Sequence, residues 1–303
     1  MIQVETIVTL GVLSFDNEHF LEQLFESIVN QDSKDFELII IDNNSSDSSW
    51  IKIQAFMNRM ENLNPGIRTR IFRNPINTRS IGGTQELFRH CETEYLAIIH
   101  GDDLLVETYV SKINQFVRMN RTVDAFNVDL IEIDFAGSPT GKVLKSLWSR
   151  FNRVNELLVA GLNPGLMPGS VIRKLSANSF CSFDAASWLN GNEDTLLWIT
   201  ILRQGGIIRR FSLPLYYYRR HENQLTNATA SFSRSLGFCR EFNIRTAPTR
   251  LQSIIARSEI KFEVQSILRS EYLRVFHAAE QLQLPSFRII SILIRRFAQF
   301  LQN

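Results

Sequence analysis

The stretch Phe36-Glu-Leu-Ile-Ile-Ile-Asp-Asn-Asn-Ser-Ser-Asp47 joins a run of apolar residues to a cluster of polar ones. The apolar part has the length of a buried β-strand, and a continuous aliphatic run is typical of a strand covered on both faces. The polar part is rich in residues that form turns and contact ligands. We therefore expect a strand of a parallel sheet that ends in a polar loop at Asp42.

The same pattern recurs on both sides of this stretch. Buried-strand patterns occur at Thr6–Ser14, Arg70–Arg73 and Tyr95–Ile99, and helical spacing of apolar residues occurs at Phe20–Ile28, 49–62 and 81–92. Strands that alternate with helices predict an α/β fold with a mostly parallel sheet flanked by helices. Because ligands of such sheets bind at the carboxyl ends of the strands, three polar clusters are candidate site segments: Ser14–Asn17, Asp42–Asp47 and His100–Asp103.

After residue 104 the spacing of strands and helices changes. The sequence predicts a helix near 106–120, a strand at Asp124–Asp134, a Gly- and Pro-rich loop at 161–170, a helix at Glu193–Gln204 and a strand at Phe211–Tyr218. From about residue 230 the chain is low in Gly and Pro and its pattern is helical. We therefore expect a main domain at 1–229 and a C-terminal helical region at 230–303.

The composition excludes several classes of protein. With 44% hydrophobic and 21% charged residues the chain is not intrinsically disordered. No apolar run approaches the roughly 18 residues of a membrane span, and the first 15 residues lack the pattern of a secretory signal. The three cysteines are widely spaced and form no disulfide or zinc pattern. These features together lead us to expect a cytoplasmic protein.

Basic residues are concentrated in the C-terminal region. From residue 231 onward there are 11 Lys and Arg against 5 Asp and Glu. Near the end, apolar residues form a helical seam: Phe287, Ile290, Ile294, Phe297 and Leu301. One interpretation is a helix docked on the main domain, and the other is a helix that contacts anionic lipid at the inner face of the membrane.

Two aspartates, Asp102 and Asp103, follow the strand at Tyr95–Ile99 directly after a glycine. Adjacent carboxylates at the end of a buried strand repel each other unless a cation is present, and hard oxygen ligands favour Mg²⁺ or Mn²⁺. The competing interpretation is an acidic first turn that stabilises a helix. The position after a buried strand favours the cation.

A second acidic pair, Glu193 and Asp194, lies at a predicted helix start, where capping alone would explain it. The functional interpretation is a general base that deprotonates an acceptor hydroxyl. Farther along, Tyr216–His221 combines three tyrosines, which are more typical of a sheet, with two arginines and a histidine that could hold a diphosphate or a metal. The arginines around the third strand (Arg68, Arg70, Arg73, Arg79) are mostly expected to be solvated.

In their order along the chain, these segments resemble the family 2 glycosyltransferases, inverting enzymes of the GT-A fold, over roughly residues 5–226. Ile40–Asp47 is similar to the family segment whose first aspartate contacts the nucleotide base. His100-Gly-Asp-Asp103 resembles the DXD region, with His100 where many members carry an aspartate. Glu193-Asp194 resembles the segment with the catalytic base, and Tyr218–His221 the closing Tyr-Arg-x-His element.

The resemblance implies a role for each candidate residue. It implies catalysis by Asp194 with Glu193 beside it, and metal binding by Asp102, Asp103 and His221. It implies diphosphate contacts from Arg219 and His221, and acceptor contacts from Gly169, Ser170 and Trp188. The implied nucleotide contacts are Ser14, Phe15, Asp16, Asp42, Asn44, Arg79 and Asp102.

The implied reaction is metal-assisted transfer of a sugar from a nucleoside-diphosphate sugar, expected to be a UDP-sugar, with Mn²⁺ or Mg²⁺ as cofactor. The expected acceptor is a hydroxyl of a saccharide or a lipid-linked molecule, and nucleic acid is not an expected partner. Two alternatives stay open at this point: a sugar nucleotidyltransferase, which should carry a Gly-rich loop after the first strand, and a non-catalytic GT-A-like binding or assembly subunit. The expected fold is therefore a Rossmann-like, GT-A-type sheet with a C-terminal helical extension.

Overall fold

The computed structural model describes residues 6–148, 155, 165–183, 192–222 and 224. In these residues nine strands form one sheet. The strands are β1 (Val8–Ser14), β2 (Glu37–Asp42), β3 (Thr69–Arg73), β4 (Tyr95–His100), β5 (Leu104–Leu105), β6 (Ala125–Ile133), β7 (Pro139–Leu144), β8 (Val171–Arg173) and β9 (Ile208–Arg219). The α-helices are α1 (Leu21–Val29), α2 (Ser49–Leu63), α3 (Arg79–His90), α4 (Tyr109–Met119), α5 (Asn178–Cys181) and α6 (Glu193–Arg203).

The sheet is mixed, with the strand order β3-β2-β1-β4-β8-β6-β9-β5, and β7 pairs with β6. Strands β3, β2, β1 and β4 are mutually parallel. Strand β8 is antiparallel to both β4 and β6, and β9 is parallel to β6. Six strands (β1, β2, β3, β4, β6 and β9) therefore point the same way, and their carboxyl ends share one edge of the sheet.

Helices cover both faces of the sheet, as the continuous apolar runs predicted. In β2, Leu38 and Ile40 pack in one buried cluster with residues of α1, α2 and α4, whereas Ile39 and Ile41 pack in the other with residues of α3, α5 and α6. Alternate residues of a strand point to opposite faces, so both halves of the β2 run are buried. Burial on both faces is what fixes β2 in the interior of the sheet.

The expected α/β class is confirmed, and the predicted elements lie within a few residues of the observed ones. Strands β5, β7 and β8 were not predicted, and all three are antiparallel to their neighbours in a sheet that was expected to be mostly parallel. Three residues are too few to show a period, so β8 could not be recognised from its sequence. The C-terminal seam and Trp188 lie outside the described residues. Among the helices of the described part, none is long and apolar enough to cross a bilayer.

Candidate active site

The loops after β1 and β2 are joined by hydrogen bonds at the carboxyl edge. The backbone N–H of Ser46 donates to Asp16 Oδ1 at 2.7 Å, and the N–H of Asp16 donates to Ser45 Oγ at 3.0 Å. The loop after β1 also approaches the end of β4, because a Cβ at Gly101 would lie 2.5 Å from Asn17 Oδ1. The first two polar clusters predicted as site segments therefore touch each other, and the first also touches the third.

Asp42 ends β2 with a wholly buried side chain. Its Oδ2 accepts a hydrogen bond from the N–H of Ser45 at 3.2 Å and pairs with Arg73 Nε at 3.1 Å. Its Oδ1 is buried and has no hydrogen-bond partner in the structure. Leaving a buried acceptor unpaired costs free energy, so such an atom suggests a ligand that donates to it. Arg73, expected to be a solvated charge, instead fixes this carboxylate and lies 5.7 Å over the ring of Trp50.

Asn43 organises the loop that leads into α3. Its Nδ2 donates to Asn77 Oδ1 and to the carbonyl of Arg79, both at 3.0 Å, and its Oδ1 accepts from the N–H of Thr78 at 3.1 Å and from Asn74 Nδ2 at 2.9 Å. Both ends of the amide are therefore occupied by the protein. Arg79 begins α3 with an exposed side chain beside this loop.

Four residues with side chains adopt a positive φ in the described part of the chain: Asp16 (50°), Asn44 (67°), Arg79 (60°) and Asn192 (62°). This region of backbone space is costly for residues other than glycine, and such residues cluster at functional sites. All four lie at the carboxyl edge: Asp16 after β1, Asn44 after β2, Arg79 at the start of α3 and Asn192 just before α6. Three of them were predicted to contact a nucleotide, and the fourth precedes the acidic pair.

At the end of β4, Asp102 and His221 form a pair, with Asp102 Oδ2 at 3.0 Å from His221 Nε2. Both side chains keep a little exposure, 19% and 8%. Burial alone would raise the pKa of Asp102, but the hydrogen bond with His221 and the charge of His100 outweigh it and hold the pKa below its usual range. Ligand atoms of His100, Asp102 and Asp103 lie within 4.8 Å of one another. Carboxylate oxygens and neutral imidazole are suitable ligands for a divalent ion such as Mn²⁺.

Asp103 differs from Asp102 in having no exposure at all. Its Oδ1 accepts from the backbone N–H of Arg219 at 2.8 Å and its Oδ2 from the hydroxyl of Tyr216 at 2.9 Å. Burial raises the pKa of the Asp103 carboxyl well above its usual range, and the charge of Asp102 adds to this. The geometry therefore does not favour the metal contact expected for Asp103, because both of its oxygens are engaged inside the protein.

Arg219 is also wholly buried, so the diphosphate contact expected for it does not fit this structure. Its guanidinium donates to the carbonyls of Asp102 and Phe135 and to Gln23 Oε1, each at 2.7 Å. Because the side chain is unexposed and its donors contact these protein oxygens, the guanidinium does not face the surface at which a diphosphate would bind. No signal in the sequence distinguished Arg219 from an exposed arginine, since its partners come from three distant segments.

The acidic pair at the start of α6 is linked to α3. Ser80 Oγ donates to Glu193 Oε2 at 2.9 Å, which brings the N-terminus of α6 to the carboxyl edge next to Arg79. The half-buried Asp194 accepts a hydrogen bond from the N–H of Thr195 at 2.7 Å. Glu193 is buried, and burial together with the charge of Asp194 raises its pKa to about 7.

The raised pKa of Glu193 predicts a pH-dependent stability. Its carboxyl holds a proton in the folded state at pH values where the unfolded chain has lost it, so stability falls as pH rises between about 5 and 8. The expected loss over this range is about 2–3 kcal/mol of unfolding free energy. In Glu193→Gln this dependence should disappear, as measured by urea unfolding at each pH.

The matched control is Glu61→Gln, which changes an exposed glutamate of α2 and should keep the wild-type pH dependence. A pH dependence in Glu193→Gln equal to that of the wild type would show that Glu193 titrates normally.

Two of the expected acceptor residues, Gly169 and Ser170, are buried inside the protein. Ser170 is wholly buried, and its hydroxyl accepts from Asn127 Nδ2 at 2.5 Å. Gly169 has a φ of 69°, and its carbonyl accepts from the hydroxyl of Tyr109 at 3.1 Å. A Cβ at Gly169 would lie 2.8 Å from the ring of Tyr216. Gly169 therefore packs against the ring of Tyr216, whose hydroxyl donates to Asp103.

Two aromatic residues beside His221 had no signal in the sequence. The ring of Phe20 lies 4.9 Å from the His221 ring and 5.1 Å from the Phe135 ring, between ring centres. Phe135 lies in the turn between β6 and β7 and is 61% exposed. An exposed aromatic ring close to Asp102 and His221 gives this end of the site an apolar border.

Comparison with known proteins gives consistent matches. The model of the family "Glycosyl transferase family 2" matches residues 9–169. EpsE of Bacillus subtilis (strain 168), a candidate glycosyltransferase by its name, is 22% identical over 230 residues, which cover 76% of this chain and 77% of EpsE.

Solved structures show the same fold at low identity. TarS 1–349 of S. aureus in complex with UDP-GlcNAc has a TM-score of 0.61 and 14% identity, covering 86% of this chain and 77% of TarS 1–349. The mannosyltransferase PcManGT of Pyrobaculum calidifontis, in complex with GDP-Man and Mn²⁺, has a TM-score of 0.62 and 13% identity, covering 98% of this chain and 81% of PcManGT. The expected GT-A-type α/β fold is thereby confirmed.

Proposed function

The chain belongs to glycosyl transferase family 2 and is a glycosyltransferase, and on this premise we propose that it transfers a sugar from a nucleoside-diphosphate sugar to a hydroxyl with inversion at the anomeric carbon. The observation that carries the proposal is the pairing of Asp102 with His221 at the edge where the β1, β2 and β3 loops meet. We propose a UDP-sugar as donor. TarS binds UDP-GlcNAc and PcManGT binds GDP-Man, which supports a nucleoside-diphosphate sugar as the class of donor.

The nucleotide would bind over the joined loops after β1 and β2. Asp42 Oδ1 is an unpaired acceptor, suited to an N–H of the base, and it is held in place by Arg73. Phe15 is 43% exposed next to these loops and offers a ring face to the base. Ser14, Asp16 and Asn44 shape the same loops. Arg79, exposed at the start of α3, is the arginine we propose for the phosphates in place of the buried Arg219.

Asp102 and His221 are the residues we propose as metal ligands, with His100 beside them. A divalent ion bound there would offset the negative charge that develops on the departing nucleoside diphosphate. The Asp102 carboxylate, whose pKa is held low, fits Mn²⁺ or Mg²⁺, and the imidazole of His221 favours Mn²⁺ of the two, since Mg²⁺ prefers oxygen ligands. Asp103 is left out of the ligand set because both of its oxygens are occupied.

Asp194 is the residue we propose as general base. Its carboxylate would take the proton of the acceptor hydroxyl as the oxygen attacks the anomeric carbon on the face opposite the diphosphate. The C–O bond to the diphosphate then breaks, and the configuration inverts. Glu193, which is buried and bonded to Ser80, would hold the N-terminus of α6 in place while Asp194 keeps access to the acceptor.

We propose that the catalytic domain comprises residues 1–229. The proposed acceptor of the sugar is a saccharide or a lipid-linked molecule. The excess of basic residues from residue 231 onward supports contact with an anionic lipid surface. We therefore place the enzyme in the cytoplasm, at the inner face of the membrane.

The proposal is tested by measuring thermal stability with nucleotides, followed by a screen of donors. UDP with Mn²⁺ should raise the melting temperature more than UDP or Mn²⁺ alone, and a ligand at 100 times its Kd adds about 2.7 kcal/mol of stability. UMP with Mn²⁺ is the matched control and should stabilise less, because it lacks the second phosphate. One nucleotide sugar of the screen should then be hydrolysed with release of its nucleoside diphosphate. Absence of stabilisation by UDP and by GDP, with Mn²⁺ or Mg²⁺, would contradict the proposal.

A further inference from the structure

A single buried arginine connects four segments at the end of the sheet that carries Asp102. The Arg219 guanidinium donates to the carbonyl of Asp102 after β4, to the carbonyl of Phe135 in the β6–β7 turn, and to Gln23 Oε1 on α1, each at 2.7 Å. Arg219 itself ends β9. Arginine carries five N–H donors in a rigid planar fork, so one side chain can fix several acceptors at once.

The β6–β7 turn is fitted closely against this arginine. Gly137 has a φ of 98°, and a Cβ there would lie 3.1 Å from Gln23 Oε1 and 3.5 Å from Arg219 Nη1. Gln23 Nε2 donates to the carbonyl of Ala136 at 3.1 Å. The turn is therefore held by two side chains, those of Gln23 and Arg219.

The side chain of Asp103 also contacts the end of β9. It accepts from the backbone N–H of Arg219 and from the hydroxyl of Tyr216, and that hydroxyl in turn accepts from the backbone N–H of His100 at 3.1 Å. These contacts join the end of β4 to the end of β9. Each oxygen of Asp103 thus accepts a hydrogen bond from the protein, and its side chain has no exposed surface.

From this geometry we infer that Arg219 and Asp103 are positioning residues for the pair Asp102 and His221. Arg219 holds the backbone of Asp102 and lies two residues before His221, and Asp103 fixes the backbone of Arg219 itself. Together they set the 3.0 Å separation between Asp102 Oδ2 and His221 Nε2. The inference rests on the proposed function, since it gives the pair its role as metal ligands. Side chains that orient metal ligands typically change metal affinity 10–100-fold when they are replaced.

The test measures two affinities of the full chain by calorimetry. The first is the affinity for Mn²⁺ with UDP present, and the second is the affinity for UDP without metal. Arg219→Met should weaken Mn²⁺ binding by about 10–100-fold and leave metal-free UDP binding within about twofold. Asp103→Asn should keep Mn²⁺ binding within about tenfold, because the amide oxygen can still accept from the N–H of Arg219, whereas loss of a true ligand should abolish binding.

The matched control is Arg210→Met, on the same strand. Arg210 makes a bidentate pair with Asp129 at 2.7 Å for both contacts, so its loss should destabilise β9 without weakening Mn²⁺ binding. If Arg219→Met does not fold, Gln23→Leu on the exposed side of α1 removes one acceptor of Arg219 and should weaken Mn²⁺ binding at least threefold.

Three outcomes would overturn the inference. Wild-type affinity for Mn²⁺ in both Arg219→Met and Gln23→Leu would show that the ligand pair needs no such support. Abolished Mn²⁺ binding in Asp103→Asn would make Asp103 a ligand. If the wild-type chain does not bind Mn²⁺, the proposed metal site is wrong and the inference fails with it. A failure of the inference alone differs, because the wild-type chain then binds Mn²⁺ and the substitutions do not weaken the binding.

Discussion

Asp194→Asn is expected to lower the rate of nucleoside diphosphate release from the donor by about 10³-fold while nucleotide affinity stays within about twofold. Asparagine keeps the shape of the side chain and can still accept the hydrogen bond from the N–H of Thr195. It cannot take the proton of an attacking hydroxyl. The measurement is single-turnover release of the nucleoside diphosphate, with binding followed separately by thermal shift.

The matched control for this substitution is Asp32→Asn, an exposed aspartate of the loop between α1 and β2, which should react at the wild-type rate. A rate within tenfold of the wild type in Asp194→Asn would remove Asp194 from the role of base. If only Glu193→Gln lowered the rate of nucleoside diphosphate release, Glu193 would be the general base.

Asp102→Asn is expected to abolish the additional stabilisation that Mn²⁺ gives to the UDP complex, and to lower donor turnover by about 10²–10³-fold. The substitution removes the charged oxygen that lies 3.0 Å from His221. UDP binding without metal should be unchanged, because the joined loops after β1 and β2 are intact. The two quantities are measured by thermal shift and by nucleoside diphosphate release across a range of Mn²⁺ concentrations.

His221→Asn offers an independent check on the same pair and should show the same loss of the Mn²⁺ effect. A Mn²⁺ effect of wild-type size in Asp102→Asn would place the metal elsewhere. If Asp102→Asn also lost metal-free UDP binding, the substitution would have disturbed the nucleotide loops, and Asp102 would have no separate metal role.

The centre of the sheet could be predicted because strands β1, β2 and β4 are buried on both faces. The aliphatic run before Asp42 has no solvent side, so its length and composition identify a strand without reference to the rest of the chain. The same reasoning located β1 and β4, whereas β3 is a partly exposed edge strand and the helices were predicted from the helical spacing of their apolar residues. This reasoning could not identify β8, which has only three residues and pairs antiparallel with β4 and β6.

The site was only partly predictable, for a related reason. The polar clusters after β1, β2 and β4 could be placed on one edge because parallel strands must end together. The difference between Asp102 and Asp103 could not be predicted, since it depends on Tyr216 and Arg219, more than a hundred residues away. Arg73 was expected to be solvated and Arg219 to bind a diphosphate, yet Arg73 pairs with Asp42 and Arg219 bonds to two backbone carbonyls and Gln23.

The separation of 119 residues between Asp102 and His221 has a consequence for synthesis on the ribosome. By the time β4 has left the exit tunnel, β1, β2 and β3 are also available, and the nucleotide loops can close as a unit. Strand β9 must still insert between β6 and β5 before His221 reaches its partner. A nascent chain truncated before β9 should therefore bind a nucleotide but not a metal ion. The nucleotide-binding loops would thus fold first, and the pair Asp102 and His221 would form later.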